Sequence, residues 1–258
     1  MTFASSLESV FAWRRTRLQG ARFLPLAAFL AWAASSAGGA AVASTLAACV
    51  IALALIAQFR LWDDLVDRAR DRNAHPERLL AAAATTAPFD RVLVLLGAAN
   101  AMAILGMRGV PALLGFLLLS AAAASWYRWH RSRQLTHALV LHLKYPAFVL
   151  LLAPPPLAPL AGAAIVYASI VGFELLDEPR LRTPWGHALL AGALLFLACI
   201  PLHVDSASAG PIATLGLAVI AAATVVRALG NKPVAHLRSV PFALAAVALA
   251  FVAWGGLH

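Results

Sequence analysis

Charge is what this sequence has least of. Only 12% of its 258 residues are Asp, Glu, Lys or Arg, while 62% are hydrophobic. A soluble domain carries roughly 25% charged residues, so a large water-soluble globular core is excluded. Cysteine is nearly absent too. The two thiols, Cys49 and Cys199, lie far apart in apolar runs. They read as small buried apolar residues, not as a disulfide or a metal site. No long polar linker and no low-complexity tract divides the chain, so residues 1–258 read as one integral-membrane domain. Lysine is scarce: 18 of the 20 basic residues are Arg, a bias from which no function is read. No cleavable signal peptide is expected, because the first apolar run has no convincing cleavage site. No nucleic-acid partner is expected either.

What remains is a succession of apolar runs. They fall at about 23–40, 42–62, 89–107, 110–127, 137–153, 158–176, 185–202, 211–228 and 239–257. Each approaches the ~20 residues that cross ~30 Å of hydrocarbon as a helix. The predicted fold is all-α: a polytopic membrane bundle of about nine transmembrane helices around a central cavity. Residues 1–22, with Arg14, Arg15, Arg17 and Arg22, are expected to form an amphipathic cytoplasmic segment leading into the membrane. The N-terminus is placed in the cytoplasm by the positive-inside bias. With that orientation, 18 of the 20 basic residues fall in cytoplasmic segments; Arg108 faces the other side and Lys144 lies within a span. The predicted location is the bacterial cytoplasmic membrane, in contact with its lipid.

Acidic residues are rarer than basic ones, 11 in all, and eight of them form two clusters. Asp63, Asp64, Asp67, Asp71 and Glu77 follow the second run; Glu174, Asp177 and Glu178 end the sixth. Both clusters therefore fall on the cytoplasmic face. If the second helix continues past Trp62, then Asp64, Asp67 and Asp71 stand at i, i+3 and i+7 on one face. Like charges in a row repel, and a divalent cation relieves that repulsion. Mg²⁺ favours one or two carboxylates together with water and phosphate oxygens. A plainer reading competes: a solvated helix end laced with i,i+4 pairs such as Arg60–Asp64 and Asp64–Arg68.

The pattern DDxxDxxxD, followed by His75-Pro76-Glu77-Arg78-Leu79, resembles the first motif of the UbiA superfamily of intramembrane prenyltransferases. That motif is NDxxDxxxD with a basic stretch ending close to RPL. Asp63 stands where the family usually has Asn, and Arg78-Leu79 lacks the Pro. The family's second motif, DxxxD, would correspond to Glu174 and Glu178, with Asp177 near the same face. Tyr127 and Arg131 resemble its Tyr-xxx-Lys pair, with Arg in place of Lys. The likeness covers the whole chain in topology but only about twenty residues in motif.

The resemblance implies a Mg²⁺-dependent transfer of a prenyl group from a polyprenyl diphosphate to an acceptor, usually aromatic. Asp63, Asp64, Asp67, Asp71, Glu174, Asp177 and Glu178 become the candidate metal ligands. Among them Asp64, Asp67, Asp71, Glu174 and Glu178 are the candidate catalytic residues. Arg78, Tyr127, Arg131 and Lys144 are the expected diphosphate-binding residues. Lys144 also stands out without the resemblance, because an intramembrane charge is costly and usually faces a polar cavity. His142 is a weaker candidate. Trp62, Trp126, Phe148 and Phe173 could face a carbocation, though core packing or lipid contact accounts for each more simply. Two rival functions remain open: a UbiA-like terpene cyclase, with the same ionisation but intramolecular capture, and a transporter using the carboxylates as its site.

Overall fold

The computed structural model describes residues 3–35, 42–129, 135–154, 160–178, 181 and 183–203; the side chains of 3–7, 21, 22, 177 and 198–203 are outside that description. Among the described residues the chain is all helical, with no strand. Ten helices follow in order: α1 (Phe3–Arg17), α2 (Gly20–Ser35), α3 (Val42–Val66), α4 (Arg68–Ala74), α5 (Leu79–Ala82), α6 (Ala87–Trp129), α7 (Leu135–His142), α8 (Lys144–Leu152), α9 (Leu160–Asp177) and α10 (Pro184–His203). Among the described residues three stretches are long and apolar enough to cross a membrane: Val42–Val66, Ala87–Trp129 and Leu135–Leu152. The last two expected spans, 211–228 and 239–257, lie outside the described residues.

The longest of these, α6, is two helical segments joined at Gly109, whose φ of 78° and ψ of −172° leave the helical region. A side chain would strain that conformation, which glycine adopts freely. Pro111 follows in the first turn of the second segment, where its missing N–H costs nothing. The chain reverses here. Asn100 bonds Gln58 and Tyr127 bonds Asp63, and Gln58 and Asp63 lie little more than one turn apart on α3. A straight helix would separate Asn100 from Tyr127 by about 40 Å. The break falls in the gap expected between 107 and 110.

A second break separates α7 from α8. Pro146 has no N–H to offer the His142 carbonyl, and its ring crowds that carbonyl, so the helix loosens at Leu143. Lys144 thereby becomes the first residue of α8. The sequence reading treated 137–153 as one uninterrupted run.

α2, α3, the first and second segments of α6, α8 and α9 enclose the main core. Phe59, Phe148, Leu30, Ile104, Leu152 and Ile165 are fully buried in it. Helices in lipid associate by close packing rather than by water exclusion, and one contact shows how close. A Cβ on Gly162 would lie 2.7 Å from the Ala33 carbonyl oxygen, so only glycine lets α9 approach α2 this way. The outward faces carry exposed Val42, Leu46 and Val50 on α3 and Val94, Leu95 and Leu118 on α6. Contiguous apolar exposure of this kind suits lipid contact and not water.

The contacts sort into two ends. At one end Thr45 meets Ser35, Gly162 approaches Ala33, and Arg108 donates to the Leu152 carbonyl at 2.9 Å. At the other end lie α1, the first acidic cluster, Tyr127 and Lys144.

Candidate functional site

The helix that carries the first cluster runs on past Trp62, as the spacing predicts. It loosens at Asp67 without losing direction: the amide of Asp67 donates to the Asp63 carbonyl at 2.9 Å, and that of Asp71 to the Asp67 carbonyl at 2.8 Å. Asp64 and Asp71, two turns apart, are both buried, at 6% and 4% exposure. Asp67, between them, has a side chain 37% exposed and pairs with Arg70. The expected row therefore has two inward carboxylates and one at the edge.

Each aspartate meets its own partners. Asp63 accepts from the Tyr127 hydroxyl on one oxygen and from the Lys144 ammonium on the other, the latter at 2.6 Å. Asp64 accepts from Arg17 through Nε at 2.8 Å and Nη2 at 2.5 Å, and from the Trp13 indole at 3.0 Å. Arg60 lies 3.7 Å from the same carboxylate. Asp71 accepts from Arg78 at 2.7 Å on one oxygen. Its other oxygen is buried, with no hydrogen-bond partner among the described residues.

Three of the four expected diphosphate-binding residues are thus brought to the first cluster: Tyr127, Lys144 and Arg78. The fourth, Arg131, lies outside the described residues. The pairing of Lys144 explains its tolerance in an apolar segment, because a buried ammonium needs a counter-charge. Aromatic rings wall this corner. Trp62 packs 5.4 Å from the Tyr127 ring, and Phe59 lies edge-on to Phe148 at 5.2 Å.

The loop after the cluster is tied down by arginines. Arg68 donates to the Leu80 carbonyl at 3.0 Å and also to that of Ala83, while Arg72 reaches the Ala81 carbonyl at 3.4 Å. These are carbonyls at the end of α5, which have no helical N–H to accept from and where cations are favoured. The expected Asp64–Arg68 pair is therefore replaced by a loop tie, whereas Arg60 does approach Asp64.

The second cluster is built differently. Glu174 sits on α9 with its carboxylate 3.8 Å from His142 Nε2, its side chain 36% exposed. His142 ends α7, two residues before Lys144 opens α8. The Glu178 amide donates to the Glu174 carbonyl at 2.9 Å, carrying the helix on. The Asp177 side chain is outside the described residues.

Among the described residues no three His, Cys, Asp or Glu side chains converge in a group that could hold a metal ion. The donor set nevertheless separates into two kinds. Asp71, a buried carboxylate with an open oxygen, fits a ligand role. Asp64, with both oxygens bonded to Arg17, does not as it stands.

Sequence reasoning missed Arg17 and Trp13, which it left in an interfacial helix. Their i,i+4 spacing just before the first apolar run was the only trace. It also missed the buried amide pair in which Asn100 donates to Gln58 at 2.7 Å. No family model, no curated protein and no solved structure matches this chain.

Proposed function

We propose that this chain is a membrane-embedded prenyltransferase of UbiA type. It would move a prenyl group from a polyprenyl diphosphate to an aromatic acceptor. The observation that carries the reading is the corner where Asp63, Tyr127 and Lys144 meet. Three helices distant in sequence deliver them to one end of the bundle, beside Asp71 and Arg78. Tyr127 belongs to the motif resemblance, Asp63 stands at a motif position usually held by Asn, and Lys144 stands out as a charge within an apolar segment.

In this reading nine spans surround a cavity, and the acidic end faces the cytoplasm of a bacterial cell. The prenyl chain lies among apolar helices and its diphosphate meets the charged end. Asp71 and Asp67, with Glu174 and Glu178 opposite, would hold Mg²⁺, which supplies electrostatic stabilisation of the leaving diphosphate. Lys144 and Arg78 offset further charge on it, a term that grows where water is excluded. The Trp62 and Tyr127 rings present π-faces near the place where an allylic cation would form. As the C–O bond to diphosphate breaks, the acceptor's ring supplies the electron pair for the new C–C bond and then loses its ring proton to water.

The test is a screen of prenyl diphosphates of several chain lengths against aromatic acceptors, with Mg²⁺ and the purified protein, read by mass spectrometry. Acceptor-dependent prenylated product is expected, and Asp67→Ala should abolish it while leaving membrane insertion intact. A cyclic hydrocarbon or alcohol formed without acceptor would establish the cyclase instead. Counter-flux in proteoliposomes without turnover would establish transport.

A further inference from the structure

One carboxylate, Asp64, lies between two guanidinium groups. Arg17 holds it through two N–H groups, and Arg60 stands 3.7 Å away. The neighbouring acids are matched singly: Asp63 with Lys144, Asp67 with Arg70, Asp71 with Arg78. The Arg17–Asp64–Arg60 group therefore carries one surplus positive charge at the end of the bundle where the first cluster lies.

Arg17 is also oriented. Its planar fork is fixed on Asp64, and the Trp13 indole takes part of the remaining capacity of that carboxylate at 3.0 Å. A guanidinium has five N–H donors. Two are spent on Asp64, and three remain on a side chain that is 25% exposed. The Asp64 hydrogen bond first, and the fields of Asp64, Asp71 and Asp67 after it, outweigh desolvation and raise the Arg17 pKa above its ordinary value. The cation thus sits within the field of all three aspartates of the row.

We infer that Arg17, with Arg60 beside it, is an oxyanion-binding residue of the diphosphate site, and that Asp64 is the positioning residue that orients it. The N-terminal helix α1 is then part of the site and not merely a membrane-surface segment. The ligand class is a diphosphate, free or carried by a prenyl chain. A planar fork already anchored on one side loses little freedom when its other edge takes up a phosphate. The inference rests on the prenyl diphosphate reading above.

The experiment measures binding of inorganic diphosphate and of a prenyl diphosphate to the full chain in nanodiscs, with Mg²⁺ present. Arg17→Ala should weaken both by about tenfold or more. Arg17→Lys should weaken them nearly as much, since an ammonium cannot serve carboxylate and phosphate with a fixed fork. Asp64→Asn should match Arg17→Ala, and the double variant should be no worse than either alone. Trp13→Phe, which keeps the ring and removes the N–H, gives a milder loss in a chain that stays folded by thermal unfolding. Mn²⁺ binding followed by electron paramagnetic resonance should survive Asp64→Asn and fall in Asp71→Asn.

Three results would overturn the inference. One is wild-type-like diphosphate binding by Arg17→Ala. Another is additive loss in the double variant. The third is loss of Mn²⁺ in Asp64→Asn equal to that in Asp71→Asn. An unmodified chain that binds neither diphosphate would overturn the prenyl diphosphate reading itself.

Discussion

The two acidic clusters are both carboxylate-rich helix ends, yet they are held in opposite ways. The first draws cations from beyond its own helix, Arg17 from α1, Lys144 from α8 and Arg78 from the turn before α5, and also from Arg60 on α3 itself. In the second, the Glu174 carboxylate lies 3.8 Å from the His142 ring. The difference teaches where the structure commits its charge. The first cluster is a hub on which several helices depend for position. The second stands at the end of α9, where the Glu174 side chain is 36% exposed.

That contrast can be broken by mutation, most severely at the hub. Asp63→Ala should leave Lys144 buried without a counter-charge, a change that costs about 3–5 kcal/mol. Thermal unfolding in detergent should show the loss. Replacing the pair together, as Asp63→Leu with Lys144→Met, should restore much of the stability and none of the turnover. Next comes Asp71→Asn, which preserves shape but removes charge from the carboxylate with the open oxygen. Turnover should fall roughly 100- to 1000-fold, read as diphosphate release, while the unfolding midpoint moves little.

Two smaller effects sharpen the comparison. Gln58→Leu removes the acceptor of the buried amide pair with Asn100, little more than one turn before Asp63 on α3. Such interhelical bonds contribute about 0.6 to 2 kcal/mol, so the unfolding midpoint should drop with diphosphate binding unchanged. Glu174→Gln should alter stability by no more than ~0.5 kcal/mol, as exposed substitutions do, yet still reduce turnover. If Glu174→Gln destabilised the chain as strongly as Asp63→Ala, the distinction between hub and open wall would be lost.

Much of this architecture is legible in local pattern. The apolar runs at 42–62, 158–176 and 185–202 correspond to α3, α9 and α10 within a few residues. The gap between 107 and 110 contains the Gly109 reversal. These features depend on hydropathy and on the backbone habits of Gly and Pro, which neighbours in sequence report. Of the three aspartates expected on one face, Asp64 and Asp71 are buried two turns apart, as helical periodicity alone requires, and Asp67 stands at the edge.

Beyond the i,i+4 approach of Arg60 to Asp64, partners were not legible, because they are set by how helices pack. The i,i+4 rule offered Arg60 and Arg68 to Asp64. Arg68 instead satisfies carbonyls of the following loop, and Arg17, separated from Asp64 by the whole of α2, takes the carboxylate. Lys144 was marked by its cost in an apolar run, but nothing local named Asp63 as its counter-charge. Pro146 is plain in the sequence, and its effect on Lys144 is not. The kink matters only because α8 then carries the ammonium to α3.

The Asp63–Lys144 contact also has a consequence for biosynthesis. Its members are 81 residues apart in the chain, and at ~5–20 residues per second the ribosome makes Asp63 some 4–16 s before Lys144. During that interval the aspartate has no cation from α8, and both arms of the Gly109 reversal must be made before one arrives. Its place at the end of α3, and not at mid-helix, leaves the carboxylate within reach of water through the wait. The pair is therefore a late closure, and an α8 that arrives misoriented would leave Asp63 as an unanswered signal of incomplete assembly.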